Sequence, residues 1–186
     1  MTQQTIYTKR LQLIPLTLDQ LRLCLTNRDR LAQELGLSLW YLETSHPVDR
    51  AITIKISKME RVAPETHGWF TYWLIVIAQE QFGVGFVGFK GAPDENSQVE
   101  IGYGIAPAYQ NKGYTTEAVR ALIAWGFQSP DCISIIAAET LRLNIPSHRL
   151  LTKVGMTVYD ETPETLSWRL TRGQFEKALE MEERST

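Results

Sequence analysis

Two hydrophobic periods alternate along the chain. Residues 7–15 put Leu11, Leu13 and Pro15 on one side of an extended run, which predicts a strand. Thr17 then caps a helix in which Leu18, Leu21, Cys24 and Leu25 share one face. A polar-flanked helix over residues 29–35 ends at Gly36. Residues 38–47 read as a loop holding Trp40, Tyr41 and His46, and Pro47 and Asp49 open a third helix with Ile52, Ile56 and Met59 inward. From Trp69 the period drops to two. Residues 69–79 and 83–90 read as a β-hairpin, residues 92–97 as a turn and residues 98–106 as a further strand. Residues 113–128 return to a helical period, with Ala118, Ala121, Leu122 and Trp125 on one stripe. A buried strand over 132–138, a short helix over 144–154 and strands over 156–161 and 166–171 follow. A last helix from about Gly173 is expected to turn Phe175, Ala178 and Leu179 inward. The order is mixed α/β, and residues 1–186 are expected to form one domain.

Composition narrows the classes. With 44% hydrophobic and 22% charged residues, the 186-residue chain can bury a core. Lys plus Arg is 19 against 21 Asp plus Glu, with no basic stripe, so a nucleic-acid coat is excluded as the main role. The longest wholly apolar run, residues 73–78, is far short of the roughly 20 residues of a membrane helix. The opening MTQQTIYTKR has no apolar stretch behind its basic residues, so no signal peptide is expected. Cys24 and Cys132 match no metal spacing and are expected as reduced, buried thiols of a cytoplasmic protein.

Two glycine motifs compete for a phosphate. Gly83, Gly85 and Gly88 spell G-x-G-x-x-G, but Gly91, Ala92 and Pro93 follow where a dinucleotide fold needs a helix, so this run reads as a hairpin strand. The segment Gln110, Asn111, Lys112, Gly113, Tyr114, Thr115 is better placed, between a strand and a convincing helix. Such a turn leaves amide N–H groups pointing outward at the positive end of the helix dipole. Lys112 adds a full charge, Thr115 or Thr116 is a candidate cap, and Glu117 falls in the first turn. The bland alternative at this point is an ordinary capped helix.

The preceding strand adds to this. Val99, Ile101, Tyr103 and Ile105 alternate onto one face, expected to be core, and Glu100, Gly102 and Gly104 onto the other. A carboxylate beside two glycines looks onto open space, where a ligand fits and where Glu100 can serve as a base. The alternative is a solvated Glu on an edge strand. Farther on, Asn144 is placed to cap a helix that tolerates Pro146 in its first turn and carries Ser147 at its entrance. His148 has no partner at recognisable spacing and is expected at the surface.

These residues resemble a known family. Gln110-x-x-Gly113-x-Thr115 resembles the pyrophosphate loop of the GNAT N-acetyltransferases. The blocks from Thr8 to Leu16, Glu100 to Ala118, Asn144 to Met156 and Trp168 to Arg172 are similar to its ribosomal-protein N-terminal acetyltransferase branch. The resemblance implies a twisted, mostly antiparallel mixed sheet of about seven strands, splayed at its centre between the strands at 98–106 and 132–138, with helices on both faces. It implies acetyl-CoA as cosubstrate, no metal, and an amine acceptor, either a protein N-terminus or a small molecule, in a monomer or homodimer. It further implies that backbone from Gln110 through Asn111, Lys112, Gly113 and Tyr114 to Thr115 holds the pyrophosphate. Ile105 and Ala106 would pair with the pantetheine and stabilise an oxyanion, and Asn144 would bond the pantetheine arm. Two departures stand out: Thr115 replaces the small residue that ends the loop, and Leu151 replaces the tyrosine acid of many members. Glu100 is then the expected base and Ser147 the expected acid for the leaving thiolate. An acyl-CoA-binding sensor without transfer activity is the competing reading, and a phosphate-binding regulatory domain the third.

Overall fold

The computed structural model describes residues 4–42 and 45–183. Its strands are β1 (Ile6–Tyr7), β2 (Leu11–Pro15), β3 (Trp73–Ile77), β4 (Phe82–Phe89), β5 (Gln98–Ile105), β6 (Ser134–Leu141), β7 (Thr157–Glu161) and β8 (Thr165–Thr171). They form one 8-stranded sheet in the order β1-β2-β3-β4-β5-β6-β8-β7. Every neighbouring pair is antiparallel except β5 and β6, which run parallel. The helices are α1 (Leu18–Thr26), α2 (Arg28–Leu35), α3 (His46–Met59), α4 (His67–Phe70), α5 (Tyr114–Gly126), α6 (Ile145–Lys153) and α7 (Arg172–Glu183).

The sheet buries both faces because β3 is apolar at every position. Trp73, Ile75 and Ile77 join Leu11, Leu13 and the apolar stripe of α5 (Ala118, Val119, Leu122). Leu74 and Val76 join Leu21, Leu31 and Ile52 from α1, α2 and α3 in a second core on the opposite face. Thr17 caps α1 through a reciprocal pair with Gln20, and Gly36 stops α2 at φ +66°. Cys24 and Cys132 are buried and free.

Four expectations change. Residues 7–15 are two strands turned at Thr8, whose hydroxyl binds the Leu11 backbone. Trp69 belongs to the helical turn α4, not to a strand. Its ring packs against Phe89 and Trp125 at 5.1 and 4.7 Å, and that tertiary packing outweighs the β-propensity of an aromatic run. Of the three residues expected inward on α7, Phe175 packs, 5.1 Å from Phe127, while Ala178 and Leu179 are exposed. His148 is half-buried, not superficial: its ring stacks on Trp168 at 5.6 Å and its Nε2 lies 3.2 Å from the Arg142 carbonyl. The run Gly83 to Gly88 lies inside β4, as its hairpin reading expects. Gly85 is required there, because a Cβ would stand 2.3 Å from the Gly104 carbonyl oxygen.

Candidate active site

The parallel pairing of β5 and β6 lasts for three residue pairs, Gln98–Ser134 to Glu100–Ile136, and then stops. β6 leaves because it is bulged against β8 between Ala137 and Thr140, with Glu139 at φ +50°. The rest of β5 remains bonded to β4 on one side only. Lys90 N–H donates to the Glu100 carbonyl, and Ala106 N–H donates to the Val84 carbonyl at 2.8 Å. By the alternation of an antiparallel ladder, the amides of Tyr103 and Ile105 therefore turn toward the split. This corrects half of one expectation: Ile105 offers an N–H there, and the N–H of Ala106 is already taken.

A cavity of about 520 Å³ occupies the split on the α5 side. One wall is the turn into α5. Gly113 is the N-cap at φ +81° with no side-chain cap, and Glu117 N–H is the first in the helix to find a carbonyl, that of Gly113 at 3.1 Å. The amides of Tyr114, Thr115 and Thr116 have no intrahelical acceptor. Neither threonine caps the helix as expected, because both lie inside its first turn, where they line the cavity. Gln110, Asn111 and Gly113 line it too, and the Gln110 amide donates to the Ile105 carbonyl at 3.4 Å. The opposite wall is α6. Asn144 caps it by accepting from Ser147 N–H at 3.2 Å, and Arg149 and Lys153, one turn apart, face the same cavity.

A second cavity, about 600 Å³, lies on the α1–α3 side of the sheet. Tyr72, Phe86, Leu42 and Val48 make it apolar, Arg28 stands among its lining residues, and the largely exposed Trp40 is at its rim. Gly102 and Gly104 form its floor, and a Cβ on either would meet nothing within 4 Å. The two cavities share Tyr103, Gly104 and Ile105, so they meet at this part of β5.

The candidate residues therefore separate. Ile105, Gln110, Asn111, Gly113, Thr115, Asn144 and Ser147 surround the first cavity, and Ala106 lines the second. Lys112 and Tyr114 stand back from both linings: Lys112 Nζ rests 4.9 Å over the Tyr109 ring, and the Tyr114 ring lies under the Arg10 guanidinium. Glu100 lies on the face of Gly102 and Gly104 but outside both linings, ion-paired to Lys90 at 2.6 Å. Tyr109 supports the loop from below. Its hydroxyl donates to Glu80 at 3.1 Å, and burial followed by that bond pushes its pKa up to about 12.

Tyr103 is the functional candidate that alternation hides. It counts as a core position on β5, yet it lines both cavities, because the sheet opens beneath it. Its hydroxyl lies toward Ser147, and burial raises its pKa above the usual range, opposed by the neighbouring Ser147 hydroxyl. Tyr72 also lines the second cavity, while its neighbours Trp69 and Trp73 are buried core.

A sheet split between two parallel strands, over an uncapped helix start, leaves strand-edge groups and helix-terminal amides facing one cavity, a setting that suits an extended ligand ending in a phosphate. The chain belongs to the GNAT family: the model described as an acetyltransferase (GNAT) domain matches residues 10–157. The family's chemistry moves an acetyl group from acetyl-CoA to an amine. YjdG of Bacillus subtilis, named as an uncharacterized N-acetyltransferase, is 35% identical over 99 residues, covering 53% of this chain and 58% of that protein. The matched stretch thus spans little more than half of that curated relative. A GNAT-family acetyltransferase from Bacillus anthracis has the same fold at a TM-score of 0.59 and 20% identity, covering 90% of this chain and 98% of that one. RimL, a ribosomal L7/L12 α-N-protein acetyltransferase solved with coenzyme A, matches at 0.62 and 16% identity, with 90% and 98% covered.

Proposed function

We propose that this chain transfers an acetyl group from acetyl-CoA to a primary amine, by direct attack in a ternary complex. The observation that carries the reading is the meeting of two cavities at Tyr103, Gly104 and Ile105. One has the amides for a diphosphate and the cations Arg149 and Lys153, and the other is an apolar chamber for an amine. The pyrophosphate lies on the amides of Gly113 to Thr116, with Gln110, Asn111 and Lys112 completing the loop. The pantetheine takes the ladder positions that β6 vacates, bonding Ile105, with the Asn144 amide free on its NH₂ side to meet the arm. No metal is needed, and among the described residues no group of His, Cys, Asp and Glu could hold one.

The chemistry follows from proton balance. The neutral amine attacks the thioester carbonyl, a C–N bond forms, the C–S bond breaks, and the nitrogen sheds one proton. Glu100 takes that proton through water, since it sits two residues beyond Gly102, roughly 7 Å along the strand. The Ile105 N–H stabilises the oxyanion. The leaving thiolate takes its proton from Ser147, resupplied through the hydroxyl of Tyr103. A protein N-terminus is the acceptor favoured by the likeness to RimL, and the apolar chamber suits an uncharged N-terminal side chain. A cytoplasmic location agrees with two free buried thiols.

The test is a calorimetric titration with acetyl-CoA, alongside Gly113→Glu, followed by coenzyme A release with a panel of amines and peptides. Micromolar binding lost in the variant, with multiple turnovers on one acceptor, is expected. Binding without turnover on any acceptor would favour the sensor reading, and no binding to the intact chain would remove the acetyl-CoA reading.

A further inference from the structure

Behind the anion loop stands a cluster from the other end of the chain. The Glu117 carboxylate accepts from Thr8 Oγ1 at 2.6 Å, from Arg10 N–H at 2.9 Å and from Arg10 Nε at 2.7 Å. The same guanidinium donates through Nη1 to the Lys112 carbonyl at 3.0 Å, and it lies 4.5 Å over the Tyr114 ring. Its Nη2 is 3.3 Å from where a Cβ on Gly113 would stand. One arginine thus touches the loop at Lys112 and Tyr114, on either side of Gly113, and the helix at Glu117. Neither Arg10 nor Glu117 lines the cavity.

We infer that Arg10 and Glu117 are positioning residues for the cofactor, a clamp from β2 that holds the loop ready for a diphosphate. The inference rests on the acetyl-CoA reading above. Asn111 and Gly113 both have positive φ, at 60° and 81°, and this backbone can present either amides or carbonyls to the cavity. A carbonyl facing the cavity repels an anion. Arg10 ties the Lys112 carbonyl back, on the side away from the ligand. It also solves a conflict of charge. A carboxylate in the first turn of α5 suits the helix dipole, but it stands close to the place of an anion. Partial burial pushes the Glu117 carboxyl up, but hydrogen bonds from Thr8 and Arg10 together with the Arg10 charge outweigh it and hold Glu117 below the usual carboxylate range, so the carboxylate is ionised and Arg10 neutralises it.

This gives the clamp a signature that simple scaffolding lacks. Arg10→Met releases the Lys112 carbonyl and leaves Glu117 uncompensated. Its Kd for acetyl-CoA is expected to rise about 10- to 100-fold, the range of lost charge-assisted bonds. Glu117→Gln in that background removes the stray charge, so Arg10→Met/Glu117→Gln is expected to bind more tightly than Arg10→Met alone. The loss in Arg10→Met should shrink as salt rises, because part of it is repulsion. Turnover at saturating acetyl-CoA and the KM of the amine should stay within about 2-fold of the parent, since the clamp acts on a binding loop. Arg10→Lys keeps the charge but not the fork, and it should fall between parent and Arg10→Met.

The experiment is calorimetry with acetyl-CoA at two salt concentrations on the parent, Arg10→Met, Arg10→Lys, Glu117→Gln and the double variant, with thermal unfolding of each. Parent-like Kd in Arg10→Met, or a double variant that binds no better than Arg10→Met, overturns the clamp. If Arg10→Met does not fold, Arg10→Lys decides, and a parent-like Kd there overturns it. An intact protein that binds no acetyl-CoA brings down the cofactor reading and the clamp with it, whereas a binding parent with unaffected variants brings down the clamp alone.

Discussion

Three glycines of the β4–β5 hairpin call for opposite outcomes from similar substitutions. A Cβ on Gly85 would stand 2.3 Å from the Gly104 oxygen and 2.8 Å from the Ile105 Cα, both backbone atoms of the neighbouring strand. To restore ordinary contact the strands must part by about 1 Å, an overpacking that costs about 1–3 kcal/mol. For a chain of this size each kcal/mol lowers Tm by about 2–4 °C, so Gly85→Ala should melt about 5 °C low. Gly102→Ala meets open space and replaces a flexible residue in a strand, which should stabilise by about 0.5 kcal/mol. Gly102→Leu goes further and fills the second cavity, without touching the first. It should keep the parent's Tm and Kd for acetyl-CoA while raising the KM of the amine about tenfold or more, the scale of one lost apolar subsite. Gly104→Leu borders both cavities and should weaken both ligands. Thermal unfolding, calorimetry with acetyl-CoA and initial rates against amine concentration read the three effects separately. A parent-like Tm for Gly85→Ala, or an unchanged amine KM for Gly102→Leu, would refute the assignment of these faces.

Glu100→Gln should lower kcat/KM by about 100-fold near pH 7 and far less at high pH, where amines deprotonate unaided; equal pH–rate profiles would remove Glu100 as base. Ser147→Ala and Tyr103→Phe should each cost less than Glu100→Gln, because a thiolate is a good leaving group, and a larger loss in rapid-quench turnover for either would reverse the order of roles. Burial, with smaller contributions from Lys58 and Lys90, pushes the Lys55 ammonium from 10.5 down to about 7. Its folded pKa is below its unfolded one, so the unfolded chain binds more protons between pH 7 and 10.5 and stability rises with pH across that window. Urea unfolding at pH 7.5 and pH 9.5 should show that rise in the parent and a flatter slope in Lys55→Met; identical slopes would contradict it.

The split was anticipated from the resemblance, but its physical cause was out of reach of periodicity. A bulge at Ala137–Thr140 and a left-handed Glu139 are backbone choices that no residue there demands. The loop at Gln110 to Thr115 was legible, because a strand, a proline, a glycine and an amphipathic helix stand in the order that exposes amides. Its support was not, since Arg10 and Glu117 are separated by 107 positions and meet only through the sheet. The alternation rule was right for Val99 and Ile101, which are buried, and failed at Tyr103, where the neighbouring strand has departed. Trp69 shows the opposite failure: an aromatic run looks like a strand until Trp125 and Phe89 offer it a better stack.

The brief β5–β6 pairing has a mechanical consequence. Beyond three residue pairs, the five strands up to β5 and the three from β6 onward are held together without a ladder between them. They form two plates joined by a short seam. A ligand arm bonded to both lips acts as a strut, so binding should slow amide hydrogen exchange on β5 and β6 together, including residues that it never touches. The opening mode removed by that strut is the one that lets a spent thiol leave, so the same gap that admits the coenzyme sets how fast the protein can let it go.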